Sequence, residues 1–246
     1  MHIIHKNIGE TSLAALKRFR KEAGKPDERL SYAGRLDPMA SGQLLLLEGE
    51  ENDRRDKFLS LDKTYEFSIL FGVGTDTFDL LGLVDKLEVC RQFSVDKIKE
   101  TLQSFVREWE MEYPPYSAKT VTYKGKMIPL WQLTRADKLQ EIEMPTKNVK
   151  VYSVGCKDIK MIDKDYIINY IINYIKKLPG DFRQEDTIAR WQQVLADIDT
   201  PFQLASCSVS GSSGLYVRRL AYEVGKQLGC PSLAFSIERT EIDVSI

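Results

Sequence analysis

Four consecutive leucines, Leu44 to Leu47, bounded by Gly42 and Gly49, constrain this chain more than any other stretch. A short apolar run of that kind reads as a strand with apolar side chains on both faces, so the sheet that holds it must be covered on both sides. Just before it, Gly34-Arg35-Leu36-Asp37-Pro38 forms a small turn that presents one acid, Asp37, and Ala40-Ser41-Gly42 forms a second. Asp-Pro by itself is a common turn starter. Fixed by a following proline against a buried strand, however, the acid can be held rigidly and partly away from water. That is how a carboxylate becomes a reagent instead of a surface charge.

The remaining composition narrows the chemistry. The 246 residues are 43% hydrophobic and 29% charged, the balance of a globular protein. No apolar run is long enough to span a bilayer. The opening MHIIHKNIGE lacks the sections of a signal peptide, so a cytoplasmic location is expected. Only His2 and His5 are histidines, which leaves almost nothing for a histidine metal site or a Ser-His-Asp triad. The cysteines, Cys90, Cys156, Cys207 and Cys230, lie far apart with no Cys-x-x-Cys pair, which argues against zinc. In a reducing compartment they are most simply buried apolar residues. The formal net charge of −1 does not announce a nucleic-acid binder. Yet positive charge is clustered at Lys17 to Lys21, Arg54 to Lys57, Lys119 to Lys126 and Arg218-Arg219. A neutral total can hide a basic face, although any one cluster is usually a solvated surface.

Periodicity predicts a short strand near the start, a helix capped by Ser12 with Leu13, Leu16, Phe19 and Ala23 on one side, and a strand over 63–72. Ser94 caps a second helix whose inward side includes Ile98, Leu102, Phe105 and Trp109, ending before the prolines at 114 and 115. An alternating strand spans 149–154. Residues 163–178 predict an apolar helix with a row of Tyr166, Tyr170 and Tyr174, read as a packed face in preference to a base-stacking ladder. A shorter helix covers 186–197, and a strand, a helix closing at Gly229 and a last strand follow. Strands outnumber helices and come in runs, which gives an α+β chain with a mixed or mainly antiparallel sheet.

Four separated stretches resemble one family. Gly34-Arg35-Leu36-Asp37-Pro38-Met39-Ala40-Ser41-Gly42 is similar to the Gly-Thr-Leu-Asp-Pro-x-Ala-x-Gly box of the TruB family of tRNA pseudouridine synthases. Lys63-Thr64-Tyr65, with Gly74-Thr75-Asp76-Thr77-Phe78-Asp79, resembles its Lys-x-Tyr and Thr-Asp-Thr-x-Asp stretch. Pro114 to Lys119 resembles its Pro-Pro-x-Tyr-Ser-Ala segment, one residue shorter, and Cys207-Ser208 with Gly214 to Arg218 its Cys-Ser-x-Gly-Thr-Tyr-Ile-Arg segment. The family's histidine before the Asp box falls on Tyr32, and its threonine on Arg35.

The resemblance implies a pseudouridine synthase fold: a central, mixed, mainly antiparallel sheet flanked by helices, with a cleft across it. It implies one catalytic domain over 1–246, with a helical insertion at 161–200 and no room for a C-terminal RNA-binding PUA domain. The implied activity is isomerisation of uridine to pseudouridine, at position 55 in the T-loop of tRNA, without cofactor or metal. Asp37 is the implied catalytic acid, Arg218 its ion-pair partner, and Tyr65 the ring that stacks on the base. Ile237 would lie against the uracil, Tyr32 would fill the space left by the flipped base, and Lys63, in the same motif as Tyr65, would also bind the substrate. The partner implied is the T-arm of tRNA, bound by a monomer with no membrane contact. The alternatives are a synthase of the same fold acting on another RNA hairpin, and a non-catalytic RNA-binding or RNA-folding protein.

Overall fold

The Leu44–Leu47 strand does lie between covering layers. The computed structural model describes residues 1–245. The chain opens with β1 (His2–Lys6), α1 (Ser12–Glu22), β2 (Leu30–Ala33) and β3 (Ala40–Glu48). All four leucines of β3 are fully buried. The two-residue period sorts them by face: Leu44 and Leu46 pack with Ala15 and Leu16 of α1, and Leu45 and Leu47 with Phe58 and Ile242. Fully burying a leucine contributes about 2 kcal/mol, so this one strand anchors two layers.

Next come α2 (Arg55–Leu59), β4 (Lys63–Phe71), the ribbon of β5 (Val73–Thr75) and β6 (Val84–Leu87), α3 (Val95–Gln103) and β7 (Glu108–Glu112). A second small ribbon, β8 (Thr120–Tyr123) and β9 (Lys126–Pro129), leads into α4 (Leu130–Arg135). The long β10 (Thr146–Ile162), α5 (Lys164–Ile175), α6 (Gln184–Leu195), β11 (Phe202–Gly211), α7 (Val217–Leu228) and β12 (Ser232–Ile242) complete the fold.

The main sheet runs β1-β3-β12-β4-β11-β10-β7, with β2 also paired to β3. Every pairing is antiparallel except β3 with β12. The mixed, mainly antiparallel α+β architecture expected from the sequence is therefore present. Helices α3 and α7 cover one face, where Ile98, Leu102, Leu220 and Val224 meet Phe67, Ile69 and Val209. Helices α5 and α6 cover the other with Ile167, Ile171, Ile175, Trp191 and Leu195 against Leu70, Leu204 and Phe235.

β3 changes neighbour along its length. Ala40 to Gly42 pair with Ile237 to Arg239 of β12, whereas Leu45 to Glu48 pair with β2. Arg239 fills the fork, fully buried, donating Nε–H to the Gln43 carbonyl at 2.6 Å and Nη2–H to that of Gly34 at 3.0 Å. Gly42 permits this close approach. Its φ is +106°, and a Cβ there would overlap the Arg239 backbone.

Several expectations need correction. The cap of α1 is Thr11, whose side chain accepts from the Ala14 N–H at 3.0 Å; Ser12 is the first helical residue and is used elsewhere. Leu13 is half exposed instead of facing the core. Trp109 lies in β7, because the helix from Ser94 ends at Gln103 and the chain turns before residue 108. The core face of α5 is its isoleucines; the tyrosine row lies beside it, with Tyr170 against Phe235 and Tyr174, and Tyr166 half exposed. Cys90 and Cys230 form a disulfide, with Cα atoms 5.9 Å apart, that joins the segment before α3 to the turn after α7. Cys207 is a buried thiol facing Cys156 across β10 and β11.

Candidate active site

Asp37 sits in the loop that delivers the chain into β3, and its neighbours are pinned by backbone bonds. The Ala40 N–H donates to the Asp37 carbonyl at 3.0 Å, closing the turn, and the Gly9 N–H donates to the Pro38 carbonyl at 3.0 Å. Ser12 Oγ both accepts from the Leu36 N–H and donates to the Leu36 carbonyl. Lys6 is fully buried beneath, its Nζ donating to the carbonyls of Ala40 at 2.5 Å and Asn7 at 3.0 Å. Burial lowers the Lys6 pKa to about 8, against the opposing pull of Glu10 and Asp37.

Arg218, the second residue of α7, comes to Asp37 from across 181 residues of sequence. Its Nε–H donates to Asp37 Oδ2 at 2.9 Å. The rest of the guanidinium is fixed by two carbonyls, Nη1–H to Thr77 and Nη2–H to Tyr116, each at 2.9 Å. The Arg218 side chain is only 3% exposed and that of Asp37 30% exposed, so the carboxylate faces open space while its counter-ion does not. Arg218 stays fully charged: burial opposes the charge, but Asp37 and Asp79 more than offset it.

Asp79 is buried beside Arg218, its carboxylate 3.9 Å from the same Nε. It accepts from Thr77 Oγ1 at 2.6 Å and from the Leu81 N–H at 2.9 Å. Burial nevertheless lifts its pKa to about 6, with Arg218 pulling the other way.

These groups border a cavity of about 490 Å³. Asp37, Arg218, Tyr32, Leu36, Tyr116 and Ser117 line it, as do Phe182 and Arg183 from between α5 and α6. Ser117 Oγ is buried with no hydrogen-bond partner among the described residues.

The structure thus brings together Asp37, Arg218 and Tyr32. Tyr65 and Ile237 share the packed cluster under the cavity with Leu36 and Met39, both buried. Burial raises the Tyr65 pKa, with Arg239 opposing and the charge of Asp37 adding to the rise. Lys63 is turned away, its Nζ donating to the carbonyls of Leu59 and Leu61. The Arg218-Arg219 cluster is no phosphate-binding surface, since Arg218 is buried and Arg219 pairs with Glu112 and Glu223. Sequence reasoning missed Lys6, Ser117 and Arg183. Ser117 lay in a quoted motif and could have been singled out; Arg183 carries no local signal.

A mixed sheet with a fixed carboxylate–arginine pair at the edge of an open cleft defines a pseudouridine synthase fold. The superposition agrees: a crystal structure of a Cbf5–Nop10–Gar1 complex matches with a TM-score of 0.56 at 16% identity, over 98% of this chain and 48% of that one. The chain belongs to the TruB family of pseudouridylate synthases, whose N-terminal domain matches residues 21–170. It is 28% identical over 242 residues to the tRNA pseudouridine synthase B of Aquifex aeolicus, covering 98% of this chain and 67% of that protein. It is 34% identical over 155 residues to the enzyme of that name from a Nostoc species, covering 63% of this chain and 50% of that protein. The chain therefore spans roughly half to two thirds of these relatives' length.

Proposed function

We propose that this protein isomerises uridine to pseudouridine in RNA, with the T-loop uridine at position 55 of tRNA as its substrate. The observation that carries the reading is the Asp37–Arg218 pair at 2.9 Å beside a cavity large enough for a nucleoside. In this reaction the N1–C1′ bond breaks, the uracil turns, C5 bonds to C1′, the C5 proton is lost and N1 gains one. Atoms balance within the nucleotide, so the chain needs to supply only positioning, charge and a proton path.

Arg218 holds the Asp37 carboxylate in one orientation at the edge of the cavity. The carboxylate then acts on the ribose, as nucleophile at C1′ or as base on the sugar. A uridine inside a folded RNA must leave its stack to reach Asp37. Tyr65 and Ile237 would form the apolar floor under the uracil, and Tyr32 a wall at the mouth. Exposed Lys119 and Lys126 offer phosphate contacts.

The test is pseudouridine mapping on an unmodified tRNA transcript, by carbodiimide adduct and primer extension, with wild type and Asp37→Asn side by side. A stop in the T-loop with wild type alone is expected. A stop with both proteins would remove Asp37 from the chemistry. A stop only on other RNAs from the cell would replace the substrate and keep the reaction.

A further inference from the structure

The segment 161–200 could be a mere appendage to the β10–β11 hairpin, yet its loop lines the same cavity as Asp37 and Arg218. Arg183 grips Asp76 with two hydrogen bonds, Nη1–H to Oδ2 at 2.7 Å and Nη2–H to Oδ1 at 3.2 Å. Its guanidinium also lies over the Tyr116 ring, 4.4 Å from the centroid. Asp76 precedes Thr77, and the carbonyls that fix Arg218 belong to Thr77 and Tyr116. Arg183 therefore spans the two loops that aim Arg218 at Asp37.

Helix α6 continues the grip. Along one side of it, Thr187 Oγ1 donates to the Leu81 carbonyl, Arg190 Nε to that of Val84 and Trp191 Nε1 to that of Gly82, at 3.0–3.2 Å. The loop so held, 76–84, carries Asp79. It has no slack, for a Cβ on Gly82 would lie 2.5 Å from Thr77 Oγ1 and 2.7 Å from Asp76 Oδ1. Arg183 itself has φ +58°, a backbone conformation that side-chain-bearing residues adopt at a cost, kept where the side chain must point one way.

We infer that Arg183, supplied by the 161–200 segment, is a positioning residue for the reaction: it clamps Asp76 and Tyr116 so that the Thr77 and Tyr116 carbonyls hold Arg218 on Asp37. The inference rests on the reading of this cavity as a uridine-isomerising site. A nearly buried, neutralised arginine is a poor phosphate ligand, so its effect belongs to turnover and not to RNA affinity.

The experiment measures kcat and KM on an unmodified T-arm transcript for the full chain, Arg183→Gln, Arg183→Lys, Asp76→Asn and the Arg183→Gln/Asp76→Asn pair. Arg183→Gln is expected to lower kcat about tenfold or more with KM within about twofold. Asp76→Asn should do the same, the double variant should cost no more than the worse single one, and Lys should restore part of the rate. A wild-type kcat in Arg183→Gln, or a loss confined to KM, overturns the inference. Amide exchange on the same proteins needs no turnover. Faster exchange at 76–83 and 116–118, with the sheet unchanged, is expected, and unchanged exchange there also overturns the clamp. Absence of turnover in wild type would defeat the functional reading while leaving the exchange result to decide the clamp.

Discussion

Asp79 gives this protein an acid-side stability signature that can be worked out from the structure. A carboxyl lifted by burial from its ordinary 3.8 to about 6 binds its proton more tightly in the folded state, by about 3 kcal/mol. The sign follows from which state holds the proton. Between those two values the folded protein keeps it and the unfolded chain has lost it, so stability falls as pH rises. The contribution is complete near pH 3 and gone above about pH 7. Asp79→Asn removes it, because an amide does not titrate. The stability difference between wild type and Asp79→Asn should therefore move by about 3 kcal/mol toward the variant from pH 3 to pH 7. For a chain of this length that is about 6–12 °C in midpoint. Urea unfolding of both proteins at half-unit pH steps reads the difference directly, since other titrating groups are shared. A difference flat in pH would show that Asp79 is already ionised at pH 4 and that Arg218, not burial, governs it.

Three further outcomes follow from the packing. Gly42→Ala should cost roughly 3 kcal/mol or more, or prevent folding, because a Cβ there meets the Arg239 backbone and φ is +106°; a wild-type urea midpoint would contradict the fork geometry. Ile171→Ala, at a 1% exposed position of α5, should cost about 2–5 kcal/mol by the same measurement; a loss under about 1 kcal/mol would mean that α5 is loosely docked. Reducing the Cys90–Cys230 bond, which closes 140 residues, should lower stability by up to about 5 kcal/mol in the chain-entropy view; a thermal midpoint indifferent to dithiothreitol would indicate that the two thiols are unpaired in solution.

What could be read from the sequence had local causes. The Leu44–Leu47 run, the Asp-Pro turn and the Ser94 cap are each decided within a few residues, and each stands in the structure as expected. The pairing of Asp37 with Arg218 was accessible only because the Tyr-Val-Arg context resembled a family motif, since nothing within the chain links positions 181 apart. Errors arose where two residues were equally able to do one job: Thr11 and Ser12 can both cap, and tertiary contact with Leu36 decided between them. Cys90 and Cys230 meet because α3 and α7 share a face of the sheet, and Arg183 meets Asp76 because α6 docks on the 76–84 loop. Both are products of long-range packing and leave no periodicity behind.

The late arrival of β12 has a consequence for how the protein is made. Its Arg239 side chain closes the fork at Gln43, 196 residues earlier, and the strand separates β3 from β4 in the finished sheet. A ribosome-bound chain that has not yet released β12 can assemble β1 with β3, but it cannot bring that pair onto β4. Its two half-sheets would each expose an unsatisfied edge for the interval of synthesis. Contacts this distant also make the closing step slow. Nascent chains stalled before residue 232 should then be open to protease between β3 and β4, and become resistant once β12 emerges.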